Sequence, residues 1–205
     1  MSKAGDVYNN PVTGEHGYVR VGTEETNGEL VVSDLRVHPG GASLGPHLHR
    51  EVDERFTVLA GKIGYFVGDK KGILEKGDSA NLPRGIPHDW WNAGDDEARV
   101  IVEIRPAARF EQMAITTFGL ANEGKTNKKG MPNLLQLAVI SKEFEDVLQV
   151  MSPPLWVQRV LFGVLVPIAR LLGYKAIYPH YLEMAKVKNT VEVEPLPAGI
   201  VIAEV

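Results

Sequence analysis

Cysteine is absent from the 205 residues, so disulfides, a thiolate nucleophile and thiolate metal ligands are all excluded. Any bound metal must be held by His, Asp and Glu. A surplus of one charge is also lacking: 22 Lys and Arg face 26 Asp and Glu, for a net charge of −4, and the basic residues are scattered. The electrostatic footprint of a nucleic-acid binder is therefore missing, no helix-turn-helix signal replaces it, and no nucleic-acid partner is expected. The first residues, MSKAGDVYNNPVTGEHGY, have no apolar core of the kind a secretory leader carries, which gives a cytoplasmic expectation. Internal repeats and low-complexity tracts are absent too. The length suits one well-buried core with an appendage and is short for two full domains.

What is present between residues 16 and 106 is a series of short runs rich in Val, Ile, Tyr and Phe, among them YVRVG, ELVVSDLRV, RFTVLAG, KIGYFVG and ARVIVEIRP. Gly, Asp, Asn and Pro separate them. This spacing predicts an antiparallel all-β sandwich or barrel with hairpin turns, preceded by an N-terminal arm over 1–15.

After Pro106 the period changes. ARFEQMAITTFGLANEG and PNLLQLAVISKEFEDVLQVM carry apolar residues at helical spacing, with the basic loop EGKTNKKGMPN between them. SPPLWVQRVLFGVLVPIARLLGY reads as a third helix, with Ser152 as N-cap, Pro153 in the first turn and Gly173 at the C-terminal cap. A helical extension is thus expected over 107–184 and a tail over 185–205. From Leu155 to Leu172 the only charges are Arg159 and Arg170. The arginines and Pro167 argue against a membrane span. The face formed by Val157, Val160, Leu161, Val164, Leu165, Ile168 and Leu171 predicts burial against the barrel or against a second copy in a homodimer. An in-plane contact of 155–172 with a membrane surface is the alternative.

The stretch GPHLHREVDERFTVLAG draws attention for its chemistry. Alternate residues of a strand share a face, so His47 and His49 point one way and Leu48 the other, as two metal ligands on one strand would. Three carboxylates follow, Glu51, Asp53 and Glu54. Glu54 has the parity of Phe56 and Val58, and if those line an interior it is the better ligand. A second stretch, GDSANLPRGIPHDWWN, brings His88 in another strand, where a sandwich could set it opposite the pair.

These two stretches resemble the motifs of the cupin superfamily. The first motif runs G, five residues, H-x-H, three or four residues, E, six residues, G, and is matched by Gly41, His47, His49, Glu54 and Gly61. The second runs G, five residues, P-x-G, two residues, H, three residues, N, and is matched by Gly77, Pro83, Gly85, His88 and Asn92. The resemblance covers roughly residues 28 to 106. It implies a jelly-roll barrel whose mouth holds one divalent transition metal on His47, His49, Glu54 and His88. Imidazole and carboxylate ligands suit Fe, Mn, Ni, Cu or Zn without choosing among them.

Around these positions Phe56, Val58, Tyr65, Val67 and Trp90 are candidates for lining a substrate pocket, and Asn92 for fixing a turn or for a hydrogen bond behind the ligands. Trp91 should face the opposite side and pack under the helices. Arg84 could neutralise an acidic substrate at the mouth. His16, His38 and His180 lie outside both motifs and are not assigned as ligands. The expected function is that of a mononuclear metal-dependent enzyme acting on a small organic molecule. A dioxygenase-like oxidoreductase leads, because the sequence shows no base beside the metal other than Glu54, which is engaged as a ligand. The alternatives are a metal-dependent isomerase or lyase, and a non-catalytic small-molecule sensor.

Overall fold

The computed structural model describes residues 1–42, 45–181, 195–196 and 198, so the tail expected over 185–205 falls almost wholly outside the described residues. In chain order the strands are β1 (Val7–Asn10), β2 (Glu15–Val21), β3 (Val31–Val37), β4 (His47–Leu48), β5 (Asp53–Ala60), β6 (Ile63–Val67), β7 (Lys70–Leu74), β8 (Ser79–Leu82), β9 (His88–Asn92) and β10 (Ala98–Arg105). Helices α1 (Ala108–Asn122) and α2 (Leu134–Glu143), a short strand β11 (Gln149–Val150) and helix α3 (Leu155–Leu171) follow.

Two antiparallel sheets result, ordered β1-β2-β3-β10-β5-β8 and β11-β4-β9-β6-β7. The predicted mainly antiparallel β core with three helices after it is therefore present. Alternation along the strands explains the layering: Val100, Val102 and Ile104 of β10 join Leu35 and Val37 of β3, Phe56 and Val58 of β5, and Ile63 and Trp90 from the other sheet in one core. On β3, Asp34 accepts from Arg20 of β2 and Arg99 of β10, with contacts of 2.5 and 2.7 Å, which ties three neighbouring strands together.

The segment read as an arm, 1–15, belongs to the sheet: Val7–Asn10 pair with Glu15–Tyr18, and Ser2 is fully buried. Trp91 does not pack under the helices. It lies over Gly64, its partner on β6, where a Cβ would come within 2.3 Å of the indole.

Two helix boundaries also depart from expectation. The helix beginning at PNLL stops at Glu143 instead of running on to Met151; Phe144 is buried at its end, and Gln149 and Val150 turn back to pair with Leu48 and His47. At its start Asn133 caps α2, accepting from the amides of Leu135 and Gln136. Ser152 is not the cap of α3. A residue before proline is driven out of the α region, and Ser152 and Pro153 both precede prolines, so the helix begins only after Pro154. Gly173 ends it as predicted, with φ of 86° and its amide on the Arg170 carbonyl.

The face of α3 expected to be covered is largely open. Gln158, Val166 and Ala169 are its buried residues, whereas Val160, Val164, Ile168 and Leu171 are exposed. The helix packs on α2 and the loop before it through a different arc, anchored by Gln158, whose amide donates to the carbonyl of Val150 at 3.0 Å.

Candidate metal centre

β4 and β9 pair so that His47 stands directly opposite His88. The imidazoles of His47, His49 and His88 lie with ring centroids 4.5 to 5.0 Å apart, and each offers a nitrogen within 4.8 Å of the others. All three are buried. Glu54 reaches them from the opposite sheet, its Oε2 3.5 Å from Nε2 of His49 and 3.7 Å from Nε2 of His88. Of the other two acidic candidates, Glu51 is exposed and Asp53 is held by the Arg84 guanidinium and amide. That pairing also occupies Arg84, which the sequence had offered for an acidic substrate.

The tautomers are set by the backbone. Each Nδ1 is within 2.8 Å of a carbonyl, that of Gly45 for His47, Val147 for His49 and Ile86 for His88. A carbonyl can only accept, so Nδ1 carries the proton and the Nε2 lone pairs turn inward. The Nε2 atoms of His49 and His88 and the Oε2 of Glu54 are buried without a hydrogen-bond partner. Buried polar atoms left unsatisfied cost free energy, and three of them converging is what a cation would relieve. The cluster is thus capable of coordinating one divalent metal ion.

Electrostatics favour neutral imidazoles at His47 and His88. Burial pushes His47 down to about 4, and the neighbouring His49 and His88 add to it. His88 is also lowered by burial, against the pull of Glu54. Burial opposes charge on Glu54 and His49 as well, but their mutual contact prevails, holding Glu54 below the usual carboxylate range and lifting His49.

The centre opens on a cavity of about 180 Å³. Phe56 and Trp90, with ring centroids 5.5 Å apart, line both this cavity and a smaller void behind it, so they form its floor. Val58, Tyr65 and Val67 do not line the cavity. Val58 is packed in the core, while Tyr65 and Val67 sit on β6, partly buried beside β9. Of the two roles expected for Asn92, the turn is the one its hydrogen bonds serve: its amide donates to the carbonyls of Val37 and Asp96 at 2.8 Å, fixing the turn after β9.

One wall comes from α1, where Phe110 meets His49 edge-on at 5.6 Å and Met113 and Phe118 add apolar surface. The extension therefore covers the rim. Three further ionisable side chains in the lining carry no assignment from the sequence: Glu15, Tyr8 and Glu111. Strand parity could have found Glu15, since it alternates with Gly17 and the buried Val19 on β2. Burial pushes its carboxyl up to about 7, with the Thr13 hydroxyl opposing and the charge of Glu54 assisting. Glu111 accepts from the hydroxyls of Ser2 and Thr23. Burial, and then the charge of Glu111, raises Tyr8 and keeps it protonated. Among the described residues lining the cavity there is no Lys or Arg.

The family model described as Cupin domain matches residues 33–104. An uncharacterized protein of Aquifex aeolicus (strain VF5) is 40% identical over 50 residues, 24% of this chain. The chain spans 41% of the length of that curated relative. Among solved structures, a protein from Thermus thermophilus shares 26% identity at a TM-score of 0.37, over 38% of this chain and 74% of its own. A sugar phosphate isomerase of the cupin superfamily from Silicibacter pomeroyi shares 24% at 0.40, over 46% and 60%. A predicted oxalate decarboxylase from Thermotoga maritima shares 18% at 0.42, over 44% and 79%.

Proposed function

From a chain whose residues 33–104 form a cupin domain with a three-histidine centre, we propose a metal-dependent enzyme of the isomerase or lyase type, acting by proton transfer on a small organic molecule. His47, His49, His88 and Glu54 are its metal ligands. The observation that carries the reaction type is Glu15, a carboxyl that lines the same cavity and whose protonation is pushed up to about 7. A general acid or base works best when its pKa is near the operating pH. A cavity without such a group would favour dioxygenase chemistry, and Glu15 removes that reason.

A bound divalent ion supplies polarisation of a substrate oxygen, which acidifies the neighbouring C–H. Glu15 takes that proton and returns it to an adjacent atom in an isomerisation, or leaves it off as a group departs in an elimination. Tyr8, kept protonated, is a donor for the substrate's second oxygen. Phe56, Trp90 and the α1 wall exclude water. With Glu15 and Glu111 in the lining, no Lys or Arg among its described residues, and Glu54 offsetting part of the charge of a bound divalent ion, the cavity suits a mainly apolar molecule bearing a carbonyl or hydroxyl.

The test is solvent exchange. Metal-loaded protein is incubated in D2O with a pool of uncharged ketones and hydroxyketones, and proton NMR follows loss of the C–H next to the carbonyl. Exchange should appear in the wild type and vanish in Glu15→Gln, which should keep its metal by elemental analysis. Oxygen consumption without exchange would restore the dioxygenase, and binding without either would leave a sensor.

A further inference from the structure

α3 presents its apolar side to solvent. Trp156 is 71% exposed, Val160 66%, Val164 60%, Ile168 44% and Leu171 88%. At about 100° per residue these five and Leu172 fall within an arc of about 160°, a continuous stripe along the helix. Contiguous apolar surface of this kind marks an interaction site, since isolated exposed side chains need no explanation and an aligned row does.

Charge decides what the stripe meets. Arg159 and Arg170, both exposed, project about 20° apart on one flank of the arc. From Val147 to Leu182 the sequence contains no Asp or Glu, while Arg159, Arg170 and Lys175 are all cationic. Self-pairing of two such helices would cover the apolar stripe but provide no carboxylate from α3 for the arginines. An anionic lipid surface satisfies both features at once: the stripe enters the acyl boundary, and the guanidinium groups meet headgroup phosphates. Trp156, near the first turn and well exposed, has the amphipathic ring that settles at headgroup depth. No helix among the described residues is long and apolar enough to cross a membrane.

We propose that α3 is an in-plane anchor that docks the protein on membranes carrying anionic headgroups, through Trp156, Val160, Val164, Ile168 and Leu171 with Arg159 and Arg170 alongside. The proposal is independent of the reaction assigned to the cavity. The acidic Glu145 near the start of the helix is paired with Lys142 at 3.0 Å, so it does not cancel the arginines.

The experiment is co-sedimentation of the full chain with vesicles of phosphatidylcholine alone and with one quarter phosphatidylserine. Binding should favour the anionic vesicles and weaken with salt. Val160→Glu with Val164→Glu should abolish it, at unchanged circular dichroism and metal content, because both sites are already exposed. Arg159→Gln and Arg170→Gln should each weaken binding to anionic vesicles by about fivefold, the equivalent of about 1 kcal/mol per cation at a charged surface. The proposal is overturned if neither vesicle is bound. It is equally overturned if sedimentation velocity shows a dimer that Val164→Glu dissociates while vesicles leave the protein in solution; a second copy would then cover the stripe.

Discussion

Nδ1 of His49 is 2.7 Å from the carbonyl of Val147, a residue 98 positions further along the chain. One imidazole of the centre is thus aimed by the segment between α2 and α3, not by the domain that carries the histidine. β11 holds that segment in place through Gln149 on Leu48 and Val150 on His47.

Breaking that strand should therefore loosen the metal without touching a ligand. Val150→Pro removes an amide and stiffens the backbone at the pairing site. Partners that orient metal-binding histidines are worth about 10- to 100-fold in affinity, and a loss in that range is expected in competition with a chelator. Affinity equal to the wild type would show that His49 is held without β11.

Removing a ligand should do more. Alanine at His47, His49 or His88 should leave little metal in protein purified without added ions and assayed by elemental mass spectrometry; full retention would sink the centre. Stripping metal from the wild type should also lower stability, because a ligand at a hundred times its Kd contributes about 2.7 kcal/mol. For a chain of this size that is a fall in Tm of about 5–10 °C, measurable by calorimetry with and without chelator.

The sequence revealed the three histidines, Glu54 and the β-rich core because each depends on local rules, namely strand parity, turn residues and fixed spacing. It did not reveal what rests on contacts between distant segments. Val58 has the parity of Phe56 yet is packed in the core and does not line the cavity, and parity does not report depth. Glu15 belongs to an early strand whose alternation includes glycine at Gly17, which weakened the signal. For α3, the hydrophobic period was legible but the arc that finds a partner was not. Gln158, a polar residue, faces inward because carbonyls of the preceding loop await its amide.

Asp34 makes a pH prediction. Burial alone would raise its pKa, but hydrogen bonds and charge from Arg99 and Arg20 outweigh burial and hold the carboxyl below its usual range. A group lowered on folding stabilises the folded state above its unfolded value, about 3.9, and that contribution fades as pH falls through the lower folded value. Asp34→Asn should cost about 3 kcal/mol in urea unfolding at pH 7, since Arg20 is left buried without its counter-charge. The gap between mutant and wild type should narrow as pH falls below the unfolded value of about 3.9 and through the lower folded one. A gap independent of pH would mean that packing, not charge, holds these strands.

α1, one wall of the cavity, is seated against the segment carrying Tyr181. Gly119 lies in α1 against the ring of Tyr181, and a Cβ there would come within 2.2 Å of the ring. Tyr181 is fully buried, and its hydroxyl donates to Glu123 at 2.6 Å, so the ring has little freedom to retreat. Two effects oppose each other in Gly119→Ala. Alanine favours a helix over glycine by about 1 kcal/mol, whereas overpacking costs about 1–3 kcal/mol. At that separation the clash wins and the variant is destabilised; a stabilised variant would overturn the contact. Tyr181→Ala removes the ring and should turn the effect of Gly119→Ala favourable, giving a non-additive double-mutant cycle in urea denaturation. Additive effects would mean that α1 and the segment carrying Tyr181 are not packed against each other.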